Sequence, residues 1–149
     1  MFDLNLLYLN FIDGLEQPTL PGLFTAAPPR RTARGRDGDQ LVLQLTLLGS
    51  APLSPNGYET LLGKMAEIFY QKSGSVTAAL RATAESLNDY LLERNLKNTT
   101  LGKQSLGLIN LAVLHGNILY LAQSGPTHAY LLGDSGVVHM HDPQLAGRG

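Results

Sequence analysis

The chain has 149 residues, of which 44% are hydrophobic and 15% charged. That length suits one domain spanning 1–149, and that balance excludes disorder while supplying a core. A formal net charge of -1 argues against nucleic acid as a partner, and the lack of cysteine excludes disulfides and thiolate metal centres.

Residues 1–27 hold two short apolar segments, 4–11 and 20–26, separated by Asp13-Gly14 and by Pro18 and Pro21. Both read as strands or extended arms. The apolar start carries Asp3 and Asn5 and lacks a basic leader. No signal peptide is therefore expected, and no apolar run approaches the ~20 residues that cross a bilayer. A soluble, cytoplasmic protein away from membranes is the expectation. The triplet Asn98-Thr99-Thr100 has the form of a glycosylation acceptor and is read as a chance occurrence.

Residues 28–36, Pro-Pro-Arg-Arg-Thr-Ala-Arg-Gly-Arg, form a basic loop by composition. Its guanidinium groups match phosphate oxygens in two-point fashion, although a solvated loop needs no such ligand. Residues 39–48 read as a strand with Leu41, Leu43, Leu45 and Leu47 on one face. Val42, Gln44, Thr46 and Leu48 make the other face mixed, the pattern of a strand covered on both sides. A turn rich in Gly, Pro, Ser and Asn occupies 49–57.

Two amphipathic helices are predicted next. The first covers 58–71, with Leu61, Leu62, Met65, Ile68 and Phe69 at helical spacing. The second covers 75–93, with Val76, Leu80, Ala84, Leu87, Tyr90 and Leu91 on one face and Ser73 or Ser75 as its cap. From 106 the pattern turns to strands at 106–114, 118–122, 127–132 and 137–141, joined by short turns in an antiparallel meander. These elements imply an α+β fold, with a sheet covered by helices on one face and by a second sheet on the other.

The order strand, turn, two helices and meander resembles the first half of a type 2C, metal-dependent protein phosphatase domain. Gly125-Pro-Thr-His-Ala-Tyr130 is similar to that family's Gly-Asp-Ser-Arg-x-Tyr signature. Arg34-Gly-Arg-Asp-Gly-Asp39 is similar to its Arg-x-x-Asn-Glu-Asp stretch, and the helix around Ala84 and Asn88 to its second helix. The similarity covers roughly 34–142. It implies an antiparallel two-sheet sandwich flanked by helices, α-β-β-α, of which the chain holds an incomplete part. It also implies a water activated by two divalent ions, Mg²⁺ or Mn²⁺, which require several carboxylates.

Most of those carboxylates are replaced. The family's Asp-Gly-x-Gly-Gly falls on Gly49 and Ser50, its glutamate on Gly38, and the aspartate and arginine of its signature on Pro126 and His128. Asp39 remains as a candidate metal ligand, Asp37 lies beside the lost glutamate position at Gly38 but on the opposite face from it, and Arg34 fits the phosphate-contacting arginine. No cofactor is therefore expected. The resemblance with these losses implies a non-catalytic module that binds a protein or phosphoprotein. An active phosphatase and an unrelated assembly domain stand as alternatives, and the oligomeric state is left open. Separately, His139 and His141 share a strand face ahead of Asp142, a zinc-type pair without a third ligand at matching spacing. His115 reads as a hairpin residue.

Overall fold

A computed structural model of the chain describes residues 3–140. Its elements are β1 (Phe11–Ile12), β2 (Leu15–Glu16), β3 (Leu23–Ala26), β4 (Gln40–Gly49), α1 (Pro55–Gln71), α2 (Val76–Asn98), β5 (Ser105–His115), β6 (Ile118–Ser124), β7 (Ala129–Gly133) and β8 (Gly136–Met140). The class is mixed α+β with antiparallel sheets and two helices, as the sequence pattern implied.

The leucine alternation in β4 organises the rest. Leu41, Leu43 and Leu45 are fully buried on one face, where they meet Ile109, Leu111 and Val113 of the antiparallel neighbour β5. Adding β3 and β6 gives a four-stranded sheet in the order β3-β4-β5-β6. Both helices lie on the leucine face. From α1 come Leu62, Met65, Phe69 and Tyr70, and from α2 come Ala79, Leu80 and Leu87. Gly107 lets α2 approach closely, since a Cβ there would lie 2.9 Å from Leu91 Cδ1.

Local capping explains where the helices begin. Ser54 Oγ accepts from the Gly57 amide at 3.1 Å and Pro55 takes the first helical position, so α1 starts three residues earlier than the apolar spacing predicts. Ser75 Oγ accepts from the Ala78 amide at 3.1 Å at the predicted start of α2. That helix continues to Asn98, past the predicted 93. Leu92 and Leu96 are exposed there, off the stripe that carries Leu87 and Leu91, while Asn95 still reaches Ser105 of β5. A surface pair between Lys97 Nζ and Glu93 at 2.6 Å supports that extension.

Three expectations need correction. Residues 4–11 form no strand beyond the two-residue β1, which pairs only with β2. The meander breaks after β6. Gly125 has φ +84°, the Thr127 amide bonds the Gly125 carbonyl, and β7 pairs with β8 rather than with β6. Finally, no second sheet faces the first among the described residues. The sheet's other face is open, with Leu48, Leu106 and Leu119 each more than 45% exposed. Side chains cross that face as an amide row. Asn110 Nδ2 donates to Gln44 Oε1 at 2.8 Å and Gln123 Nε2 to Asn110 Oδ1 at 2.9 Å, each across a direct register pair.

The asymmetry of the sheet sets an expectation for stability. Leu43→Ala should lower the free energy of unfolding by about 2–5 kcal/mol, whereas Leu106→Ala on the open face should change it by less than about 1 kcal/mol. Urea denaturation of the two variants measures the difference.

Candidate functional site

The residues singled out by sequence separate into two groups at opposite ends of the sheet. Asp39 immediately precedes β4 and Gly49 ends it, so at strand rise they lie roughly 33 Å apart. Arg34, Asp37, Gly38 and Asp39 belong to the first end, together with His115 at the end of β5. Gly49 and Ser50 belong to the other, beside the start of β5. Gly125 packs on Leu108 towards that second end, followed by Pro126 and His128. Asp39 and the positions at 49, 126 and 128 therefore do not surround one centre.

At the first end a buried ion pair forms. Asp39 is 0% and Arg36 2% exposed, and Arg36 Nη1 donates to Asp39 Oδ2 at 3.0 Å. The same guanidinium donates from Nη2 to the Gly74 carbonyl at 2.7 Å and from Nε to the Lys72 carbonyl at 3.4 Å. Those carbonyls follow the C-terminus of α1, where a cation is favoured by the helix dipole. The Arg36 guanidinium also stands over the Phe69 ring, 5.4 Å from its centroid. The second carboxylate oxygen of Asp39 accepts from His115 Nδ1, which turns His115 Nε2 away from the pair.

Tyr70 closes this end from the helix side. Its hydroxyl lies 2.7 Å from the Ala26 carbonyl and 2.9 Å from that of Asp39, while the Ala33 amide bonds the Tyr70 carbonyl at 2.7 Å. Burial pushes the phenol up to about 12; a backbone hydrogen bond at Leu41 opposes that shift and the Asp39 charge adds to it. Arg34, Asp37 and Gly38 are exposed on the outer side of the loop.

The second end is held by hydrogen bonds from side chains and backbone to backbone groups. The Ser50 amide donates to the Gln104 carbonyl at 3.1 Å, and Ser50 Oγ accepts from the Gln104 amide at 3.2 Å. The side chain of Asn95 meets both backbone groups of Ser105, at 2.8 and 2.9 Å. Arg94 Nη2 donates to the Pro52 carbonyl at 2.9 Å. Gly49 itself has φ +117°, and a Cβ added there would fall in hard contact with the Gln104 carbonyl oxygen. An aspartate at this position would be strained and would collide with β5.

These residues do not fit a pair of hard cations. Both oxygens of Asp39 are engaged inside the protein, and the other positions of the resemblance lie at the far end of β4 or face solvent. Among the described residues no group of three His, Asp or Glu side chains converges on a metal position. His141 and Asp142, which follow His139 in the zinc-type arrangement, lie outside the described residues.

Sequence reasoning selected Arg34 where the fold uses Arg36, and it read His115 as a turn residue. It also placed Ile68 on the buried stripe of α1, whereas Ile68 is 36% exposed and Tyr70 takes the core position. The available signal for Arg36 was its spacing of three residues from Asp39, which suits a side-chain pair across a tight turn. Nothing local marks His115 as a partner of Asp39, 76 residues earlier.

Comparison with known proteins returned no match: no family model, no curated protein and no solved structure is significantly similar to the chain.

Two outcomes test the account of the first end. Asp39→Ala and Arg36→Met should each cost about 3–5 kcal/mol, because each leaves a buried charge without its counter-charge. The double variant should cost less than the sum, as read from a urea-denaturation cycle.

The second outcome concerns pH. Tyr70 binds its proton more tightly folded than unfolded, so its contribution is complete below its ordinary value of 10 and is lost as pH rises towards about 12. In that window the wild type should lose up to about 1.4 kcal/mol per pH unit more than Tyr70→Phe. Equal slopes for the two proteins would contradict the burial of this phenol.

Proposed function

We propose that the chain is a non-catalytic binding module, one α-β layer pair of a phosphatase 2C-like α-β-β-α sandwich, whose open sheet face receives a second β-sheet from a protein partner. The observation that carries this reading is the composition of that face. Val42, Gln44, Thr46 and Leu48 of β4 alternate with the helix-facing leucines, and Leu106, Leu108, Asn110, Ala112 and Leu114 do the same in β5. Leu119, Leu121 and Gln123 continue the surface onto β6. None of these positions is charged.

A sheet face turned to water ordinarily carries charge. A face without charge, whose amides bond one another, presents apolar surface of the kind that a second sheet covers about 10 Å away. An extended or charged peptide would leave most of it wet.

The non-catalytic part of the reading rests on the separation described above. A phosphatase of this type needs carboxylates gathered around two cations. Here the one buried candidate, Asp39, is neutralised by Arg36 and lies a strand length from Gly49. Arg34 is exposed in the basic loop, and among the described residues no hydrogen bond or ion pair fixes it, so a phosphoprotein is favoured less than an apolar sheet.

The test has two arms. With p-nitrophenyl phosphate and millimolar Mn²⁺ or Mg²⁺, the purified chain should give no hydrolysis above a metal-only control. Turnover abolished by EDTA and by Asp39→Ala would overturn the non-catalytic reading. In the second arm, a dye that brightens on apolar surface should bind the native chain, and Leu106→Lys with Leu119→Lys should weaken that signal without lowering stability. An unchanged signal would locate the apolar surface elsewhere.

A further inference from the structure

The β7–β8 hairpin carries a cluster that neither the core nor the open sheet face uses. Tyr130 and His139 are direct register partners across the hairpin. Their rings stack at 4.7 Å and 21°. His128, one residue before β7, lies roughly parallel to the same tyrosine ring at 6.3 Å and 25°. The two imidazoles converge, with His128 Nδ1 and His139 Nε2 3.2 Å apart, and both side chains are exposed.

We infer that His128 and His139 form a two-imidazole clamp for a late first-row transition ion of the Zn²⁺, Cu²⁺ or Ni²⁺ class. The argument begins with distance. Two histidine nitrogens bound at about 2.0–2.1 Å to a tetrahedral ion stand about 3.3–3.4 Å from each other. The observed 3.2 Å is within a few tenths of an ångström of that span, so the ion seats between the rings with little movement of the strands. Imidazole nitrogen is the ligand type that selects these ions over Mg²⁺ and Mn²⁺, which prefer oxygen.

Preorganisation comes from the hairpin. Register holds His139 opposite Tyr130, and the tyrosine face limits the rotation of both rings. Without metal the close nitrogens share one proton in a hydrogen bond. When the ion enters, both nitrogens offer lone pairs, and the shared proton moves to the outer nitrogen of its own ring by tautomeric exchange through solvent. No net proton is gained or lost between two neutral rings. The remaining coordination positions take water or a further ligand. Because the ligands come from both arms, the ion also ties the hairpin closed.

The clamp is tested on the untagged full chain by calorimetric titration with ZnCl₂ and CuCl₂, with MnCl₂ as the hard-ion control. Zinc and copper should bind one per chain, copper more tightly, and manganese should not bind. His128→Gln and His139→Gln should each weaken zinc binding by an order of magnitude or more, while His115→Gln leaves it unchanged. Both substitutions lie on an exposed hairpin and should not alter the thermal midpoint of the metal-free chain.

A second measurement needs no variant. Zinc should shift the ring resonances of His128 and His139 together and slow amide exchange across Ala129–Met140. Zinc affinity indifferent to both histidines, or exchange in the hairpin unaffected by saturating zinc, would overturn the inference. Its failure would leave the reading of the open sheet face untouched, since the two rest on different residues.

Discussion

The ion pair between Arg36 and Asp39 is the constraint on which the rest of the fold depends. A carboxylate with no solvent exposure is tolerable only when a counter-charge and hydrogen bonds replace water. Arg36 supplies the charge and His115 a hydrogen bond, each from a different part of the chain. Arg36 is itself fixed by carbonyls after α1 and by the Phe69 ring. One side-chain pair thereby joins the basic loop, the start of β4, the end of α1 and the β5–β6 turn. The loop that composition marks as solvated is pinned at its last arginine, while Arg30, Arg31 and Arg34 stay in water.

The sheet shows how a single alternation divides tasks. Every second residue of β4 faces the helices, and those positions are all leucine up to Leu47. The intervening positions carry Val, Gln, Thr and Leu, and the amide row from Gln44 through Asn110 to Gln123 fixes their neighbours laterally. A one-residue slip of β4 against β5 would break that row and turn the leucines away from α1 and α2. The open face therefore specifies register even where nothing covers it. Its lack of charge is compatible with that role, because a charged side chain in the row would need its own partner.

Much of this was legible in the sequence. Helices and strands followed from period, since 3.6-residue spacing and strict alternation are local properties of the chain. Element ends were less so. The start of α1 depended on Ser54 and Pro55, and the last turns of α2 on Asn95, whose side chain bonds Ser105 of β5. What could not be read was long-range pairing. A strand with two apolar faces states that both can be covered, not that the same chain covers them. Likewise, a histidine in a turn reveals nothing of an aspartate 76 residues earlier. Arg34 and Arg36 are alike in composition, and only the position of the C-terminus of α1 decides which one is buried.

The separation of Asp39 from Gly49 is a different kind of lesson, because it follows from the sequence alone. Residues 39–48 alternate as one uninterrupted strand, and a strand advances about 3.3 Å per residue. Two positions at its ends cannot serve one metal pair unless the chain reverses between them, and no turn residues occur from Gln40 to Leu48. The motif order that resembles a type 2C phosphatase therefore does not gather the site residues that the resemblance implies. Motif letters can align at the correct order while the intervening geometry carries them apart. Matching the spacing of two ligands through the element between them is a stronger criterion than matching either ligand by itself. By that criterion Asp39, the acidic residue that borders β4, serves the fold, since Arg36 and His115 take up both of its oxygens.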